Sequence, residues 1–440
     1  MEVPDTAFDD LPEWLQKLTV ATAMEMQQVL SDEQISAAQS EEQVLEVVRG
    51  MGREALGEGL SQRHGRHQGP RRCPGCGQMQ RFEGYREKTL VTLLGPVQYR
   101  RAYYRCPNCG DSHYQGDEAV GLDQGSYSLP AQEAVSLVCC ELPFEAARQI
   151  LGRLTAVDIS SSHAQLITGR HGWELEQRAE VEREALFAGE LEVVAEGKPD
   201  RLYVTLDGLK MPFMDNWHET KIGSVYDAEG GEDGIDQPRR TSYVCGAWEA
   251  AEPFGERLYQ EAAHRGVEGT EELVAIADGA EWTWNLVEEH FPRAVQILDF
   301  YHAVERLHEV GRAVYGEGTD RAREWAEANK GRLWEGQVVD VLRSLRGLRP
   351  DSDEGREAVR LAIGYYQHNR RRMDYPAYRA QGYHVGSGVV EAACKTVAAA
   401  RCKRSGMRWS KSGAQSVLAL RCHRLNGRWD QYWKPLKAAS

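Results

Sequence analysis

The stretch RLYVTLDGLKMP, Arg201 to Pro212, decides how the chain is read. Leu202 to Leu206 form a short apolar run of the kind that becomes a buried strand. The run ends on Asp207 and Gly208. Aspartate is a poor strand residue, so an acid at a strand end calls for a reason. Asp-Gly also begins turns, which is the bland reading. The chain beyond decides between them. KIGSV (221–225) and TSYVCGAW (241–248) predict two further strands, separated by the loop DAEGGEDGID. A helix over 254–265 follows, then the strand ELVAIA (272–277), a helix over TWNLVEEHF, the strand AVQIL (294–298) and a helix from about 301. The order β-β-β-α-β-α-β-α predicts a mixed sheet, antiparallel first and crossed over by helices later.

The strand-acid device repeats. ELVAIA runs into Asp278-Gly279, and AVQIL into Asp299, with His302 three residues on. Carboxylates gathered in one cleft repel, and a bound cation relieves that repulsion. Hard oxygen ligands favour Mg²⁺ or Mn²⁺. A third acid is expected on a later helix, and Glu391 in GYHVGSGVVEAACK fits. Gly386-Ser387-Gly388 breaks the chain ahead of it, which puts Glu391 in a first helical turn and Lys395 one turn on, on the same face. An exposed helix glutamate and a satisfied core histidine are the bland readings of Glu391 and His302. Gly208 would leave room beside Asp207 for a phosphate.

The chain has 440 residues, a formal net charge of −14 and ten cysteines. That length allows two to four domains. The start, MEVPDTAFDD, lacks the apolar core of a signal peptide, and no apolar run reaches the ~18 residues of a membrane span. The expectation is a soluble, cytoplasmic, nucleoid-associated protein with no membrane partner. The charge is uneven: −10 over residues 1–60, +8 over 61–110 and +12 over 365–440. Two basic blocks in an acidic chain are the footprint of phosphate-backbone binding, although each alone reads equally as a solvated face.

Residues 1–62 read as an acidic helical region, with a capping box at Ser40. Cys73-Pro-Gly-Cys76 and Cys106-Pro-Asn-Cys109 are two knuckles with Zn²⁺ spacing, and the segment between them alternates like a hairpin turning at Gly95-Pro96. This predicts a zinc ribbon over 70–115, holding one structural Zn²⁺. Arg100, Arg101 and Arg105 stand among tyrosines on that hairpin and suit a DNA backbone; a purely structural zinc clip is the alternative. Short helices over 128–172 resemble a helix-turn-helix, with His163, Gln165 and Arg170 toward the groove, and a charged helix is expected over 173–197. The other six cysteines, Cys394 among them, read as small core residues. A helical insertion is expected over 303–382, between a first core segment (198–302) and a last one (383–440). Arg370, Arg371 and Arg372 lie at its exit. Arg401, Lys403, Arg404, Arg408 and Lys411 then surround Trp409, and charge interleaved with aromatics fits bound DNA ends.

Together DGLKMP, WHETKIG (217–223), DGAEW (278–282), LDFYHA (298–303) and GSGVVEAACK (386–395) resemble the ISKra4-type insertion-sequence transposases, and the resemblance covers about residues 70–440. Leu209 stands where that family commonly has a small residue. The resemblance implies a multidomain α/β protein with an RNase H-like mixed sheet and the catalytic triad of a DDE transposase at Asp207, Asp278 and Glu391, with Asp299 and His302 accessory. It further implies two catalytic Mg²⁺ (or Mn²⁺) ions about 3.5–4 Å apart. Its expected partner is double-stranded DNA, both element ends and target, bound by a homodimer or higher oligomer. A domesticated DNA-binding protein and a structure-selective nuclease of the same fold are the rival readings.

Overall fold

The computed structural model describes residues 8–117, 125–231 and 234–439. The acidic start at 1–7 and positions 232–233 of the loop in DAEGGEDGID lie outside them. The chain divides into two compact units, residues 1–168 with 430–440, and residues 169–429.

In the first unit, α1 (Glu13–Leu30) and α2 (Ala37–Arg63) precede a four-stranded antiparallel sheet. Its strands are β1 (Arg71–Arg72), β2 (Met79–Thr92), β3 (Gly95–Arg105) and β4 (Ser112–Tyr114). The capping box of α2 is made by Ser36 with Gln39, one turn before the expected Ser40, because Ser36 holds the extended backbone that a cap requires. The β2–β3 hairpin turns at Leu93-Leu94, since Gly95 already pairs with Thr92. α3 (Leu129–Cys139) and α4 (Phe144–Leu154) bury Val135, Ala147 and Leu151 together with Ile159 and Ile167. The expected third short helix and the charged helix are instead one element, α5 (Ser161–Phe187). No proline interrupts HGWELEQRAE, and the single Gly172 costs only about 1 kcal/mol, so the helix propagates through it. Residues 188–200 are not helical.

The second unit is built on a five-stranded sheet in the order β7-β6-β5-β8-β9. β5 (Arg201–Pro212), β6 (Trp217–Gly230) and β7 (Asp236–Ala247) are antiparallel neighbours, and β8 (Glu272–Ala277) and β9 (Val295–Leu298) continue in parallel. The crossovers are α6 (Ala251–His264) and α7 (Glu281–His290), and α8 (Phe300–Tyr315) follows β9. The element order is the one the sequence predicts, and a mixed sheet of this kind is consistent with an RNase H-like arrangement.

The segment expected as a helical insertion, 303–382, holds most of α8 and then α9 (Asp320–Trp334), α10 (Val338–Gly347), α11 (Asp353–His368) and α12 (Tyr375–Ala380). It shares one core with the sheet: Leu333, Val341, Ala362 and Tyr366 belong to the same apolar cluster as Val204, Ile276 and Leu298. α13 (Gly388–Ala393) runs through a π-helical stretch (Cys394–Ala399) into α14 (Ala400–Cys402). Buried Arg421 of α15 (Lys411–Leu425) donates to the Val397 and Thr396 carbonyls at 2.7 and 2.6 Å, anchoring the widened backbone. α15 also covers the sheet edge. Asn426 exchanges two hydrogen bonds with the Tyr243 backbone, and Gln415 accepts from Ala247 N and donates to the Cys245 carbonyl. The polar edge of β7 is thereby satisfied by side chains rather than left open. α16 (Trp429–Ala439) ends the chain. Among the described residues no helix is long and apolar enough to cross a membrane.

Candidate active site

Asp207 does not end its strand. β6 pairs with β5 throughout, Asp207 opposite Ile222 and onward to Pro212 opposite Trp217, so the backbone stays extended past the acid and no turn forms at Asp-Gly. The parallel partner stops earlier, at Thr205 opposite Ile276. Asp207 therefore sits just beyond the carboxyl end of the β5–β8 pair, while Asp278 immediately follows β8. The opening at the ends of parallel strands is where α/β sheets usually present functional groups.

Asp207 is half-buried. Its Oδ1 accepts from the Gly208 amide at 2.6 Å, and the Cys394 thiol donates to its Oδ2 at 3.4 Å. Burial pushes the Asp207 carboxyl above its ordinary value. The Gly208 and Cys394 hydrogen bonds oppose that shift, the charge of Asp278 adds to it, and His302 opposes it. Desolvation together with a like-charged neighbour marks a candidate functional carboxylate. The carboxylate of Asp207 in turn raises the Cys394 thiol, with burial the larger cause and Glu391 a smaller one. Cys394 was legible only as a small core residue. Its position three residues after Glu391, one helical turn on, is the signal that could have marked it.

Asp278 Oδ1 accepts from the Ala280 amide at 3.0 Å, and Tyr365 donates its hydroxyl to the Asp278 carbonyl at 2.9 Å. Gly279 makes this possible. Its φ is +96°, and a Cβ there would lie 2.7 Å from the Tyr365 ring. Gly208 serves a different purpose from the expected phosphate space: a Cβ at that position would lie 2.5 Å from Glu219 Oε1, so the carboxylate of Glu219 fills the room.

Asp299 is fully buried. It caps α8, its Oδ1 accepting from the His302 amide at 2.8 Å, while its Oδ2 accepts from the Ser387 amide at the mouth of α13. Phe300 N donates to the Val385 carbonyl beside it at 2.9 Å. One carboxylate thus ties the start of α8, which carries His302, to the start of the helix that carries Glu391. His302 Nε2 lies 3.8 Å from Glu391 Oε1 and its Nδ1 3.6 Å from Glu305 Oε2. Ser387 Oγ donates to Glu391 Oε1 at 3.4 Å rather than capping the helix with its side chain. Lys395 is exposed and lies in the π-helical stretch, where the i, i+4 register of an α-helix no longer holds.

Among the described residues, two groups of side chains can hold a metal. Donor atoms of Asp299, His302 and Glu391 all lie within 4.8 Å of one another, and so do the sulfurs of Cys73, Cys76, Cys106 and Cys109. The acidic group differs from the expected Asp207–Asp278–Glu391 set, with which it shares only Glu391. In the cysteine group, Cys73 and Cys109 are 3.5 Å apart and Cys76 and Cys106 3.4 Å. Sulfurs around Zn²⁺ at about 2.3 Å stand about 3.8 Å apart in a tetrahedron, so four thiolates here fit that ion. The two knuckles are built alike, with Gly77 N donating to the Cys73 carbonyl and Gly110 N to that of Cys106. The Gln78 amide, then Asn108, pull the Cys76 thiol down to about 6, whereas burial pushes Cys73 up to about 12.

The expected DNA-binding cations divide by exposure. Arg100, Arg105, Arg370, Arg371, Lys403, Arg404, Arg408 and Lys411 are exposed. Arg101 is buried, paired with Asp117 and 3.7 Å from the Tyr114 ring. Arg401 is fully buried, 5.1 Å from the Trp409 ring. Arg372 spans Glu288 at 2.9 Å and Gln296 at 2.6 Å over the Trp284 ring, and Arg170 is half-buried near Glu174. The buried heads serve the fold. On α5, His163 and Gln165 are exposed.

A family model described as an uncharacterised protein family (UPF0236) matches residues 30–432, and the chain belongs to that family. No curated protein matches the chain.

Proposed function

We propose that this member of the UPF0236 family is a DDE-type DNA transposase, binding the ends of its own element and performing metal-dependent strand cleavage and joining, as a dimer or higher oligomer on the DNA. The observation that supports the reading is that Asp207 is reached by groups from two other acid-bearing elements. Asp207 feels the charge of Asp278, and Cys394, one helical turn from Glu391, hydrogen-bonds Asp207. The motif resemblance over residues 70–440 supplies the reaction class.

In this reading Asp207, Asp278 and Glu391 are the carboxylates that hold Mg²⁺ or Mn²⁺. Such ions, when bound, supply an activated water or 3′-hydroxyl and stabilise the leaving oxygen in phosphoryl transfer. Oxygen-only donors suit them. Asp299, with both oxygens accepting backbone amides, holds α8 and α13 in register. His302, between Glu391 and Glu305, orients Glu391 and is placed to handle a proton at the scissile phosphate. The Cys394 thiol fixes the Asp207 carboxylate. The zinc ribbon and the exposed cations of the two basic blocks hold the DNA.

Purified protein incubated with Mg²⁺ and DNA carrying the element's ends separates the rivals. Joined strands support transposition. Hydrolysis without joining indicates a nuclease, and binding without cleavage a DNA-binding protein that has lost its chemistry.

The proximity of Asp299, His302 and Glu391 favours a second assignment, a single ion held by those three, as in a nuclease. Asp299's two amide partners weigh against it, because its oxygens are already engaged and shut from solvent. Mn²⁺ titration decides: loss of binding in Asp278→Asn favours the first assignment, loss in His302→Ala alone the second.

A further inference from the structure

The β5–β6 hairpin runs past Asp207 for five more residue pairs, about 17 Å at strand rise, before it turns at residues 213–216. Turn positions normally take small polar residues. Here the turn carries Met214, 65% exposed, and the first residue of β6 is Trp217, 53% exposed. Exposing a tryptophan and a methionine side by side serves no packing purpose within the unit.

The hairpin end is built to be rigid. The segment between α14 and α15 docks on it in parallel register, Phe213 beside Trp409, with Trp409 N donating to the Pro212 carbonyl at 3.2 Å and Met214 N to the Trp409 carbonyl at 2.9 Å. His218 follows Trp217 and so faces the other side of the strand. There it stacks on Trp248, ring centres 3.6 Å apart and planes within 10°. Trp248 has φ +49°, and among the described residues it is the one non-glycine with a positive φ. Such strain persists where surrounding structure holds it.

The docked segment brings cations to the Trp217 side. Lys403 Nζ lies 5.4 Å from the centre of the Trp217 ring, and Arg404 and Arg408 are exposed on the same segment. The acids nearby are engaged: Asp215 with His218 at 2.8 Å, and Glu219 with Lys221 at 3.0 Å. An accessible aromatic face flanked by exposed cations is the arrangement that stacks a base and holds its phosphates. A base inside a duplex has both faces covered by its neighbours and a blunt end exposes only the outer face of its last pair, so an unpaired base is the ligand that can lay its face fully on the ring.

We propose that Trp217, with Lys403, Arg404 and Arg408, forms a stacking platform for an unpaired base of the DNA strand, about 17 Å along the hairpin from Asp207. The proposal rests on the transposase reading for its choice of nucleic acid, and it deepens that reading by naming single-stranded or unpaired DNA next to the cleavage point as substrate. Trp217 is a binding residue here and takes no part in proton or phosphoryl transfer.

Fluorescence anisotropy of the full chain tests it, using a labelled blunt duplex and the same duplex with a single-stranded tail. The tailed duplex is expected to bind at least about fivefold tighter, and Trp217→Ala to abolish that preference, weakening the tailed probe by about tenfold. Trp217→Phe keeps most of it. Lys403→Ala with Arg408→Ala weakens both probes and makes binding less salt-dependent, by about one counterion for each phosphate that is no longer neutralised. Equal binding of the two probes by the wild type, or an unchanged preference in Trp217→Ala, overturns the proposal. Cleavage with Mg²⁺ is scored separately. A tail preference without cleavage leaves the platform standing and removes the transposase reading, while cleavage without the preference does the reverse.

Discussion

Replacing Asp299 discriminates a buried clamp from a metal ligand. The residue is shut from solvent, and its two oxygens accept the His302 and Ser387 amides. In Asp299→Ala both amides lose their acceptor inside the protein. Each stranded buried donor costs about 1–3 kcal/mol, so a loss of about 3–5 kcal/mol is expected. Asp299→Asn keeps one acceptor and turns an NH₂ donor toward the other amide, so about half that loss is expected. Because the chain has two units, a single global unfolding free energy is poorly defined. Hydrogen–deuterium exchange of peptides covering residues 299–305 and 385–393 reads the effect where it arises. With EDTA present, exchange there should quicken by about tenfold to a hundredfold in Asp299→Asn, and more in Asp299→Ala. A metal-free Asp299→Asn protein that exchanges like the wild type, or more slowly, would refute the clamp. That is the result a metal ligand would give, since neutralising one of several crowded carboxylates relieves repulsion when no cation is bound.

Three further perturbations bear on the rest of the structure. Gly279→Ala places a Cβ 2.7 Å from the Tyr365 ring at φ +96°, so it should destabilise by about 2–4 kcal/mol and lower the melting temperature; an unchanged melt contradicts the geometry at Asp278. Metal analysis should find one zinc per chain in the wild type and none in Cys73→Ser, with the exchange protection of β2 and β3 lost; a zinc-free wild type with an ordered ribbon would argue against the site. Burial, then nearby arginine charge, lowers His171 to about 3 and His423 to about 4. The unfolded chain takes up these protons from about pH 6.5 while the folded chain does not. Stability is therefore full above that pH and falls below it, by about 1.4 kcal/mol per unit for each histidine. Urea midpoints of the second unit from pH 7 to pH 4.5 should show that slope, and His171→Leu should flatten it; an unaltered slope in the variant would count against the assignment.

How much was legible follows from what sets each feature. β8, at Glu272–Ala277, coincides with the apolar run in the sequence because a strand covered on both faces is a continuous apolar string. The strand-acid pairs at Asp278 and Asp299 are visible for the same reason. β5 misled, since its extension past Asp207 is imposed by β6 from ten residues further on, and no local propensity reports a partner strand. Gly208 invited a ligand reading, but the neighbour that needs its missing Cβ is Glu219 on the adjacent strand. Charge counts found the two basic blocks and could not separate Arg101 and Arg401, which are buried, from Arg100 and Lys403, which are exposed. The π-helical stretch after Glu391 depends on Arg421 reaching its carbonyls, a tertiary interaction invisible in a helical pattern. The double grip of Asp299 on two helices was equally hidden, because Ser387 lies 88 residues away in sequence.

The transposase reading meets its most direct test in the single-turnover rate of strand cleavage and joining on end-carrying DNA with Mg²⁺, compared between the wild type and Asp207→Asn. Joined product is expected from the wild type, with a fall of at least about a thousandfold in the variant, as when a ligand to catalytic metal is removed. Joining by Asp207→Asn at the wild-type rate would contradict the reading, and so would a wild type that binds the ends and leaves every strand intact.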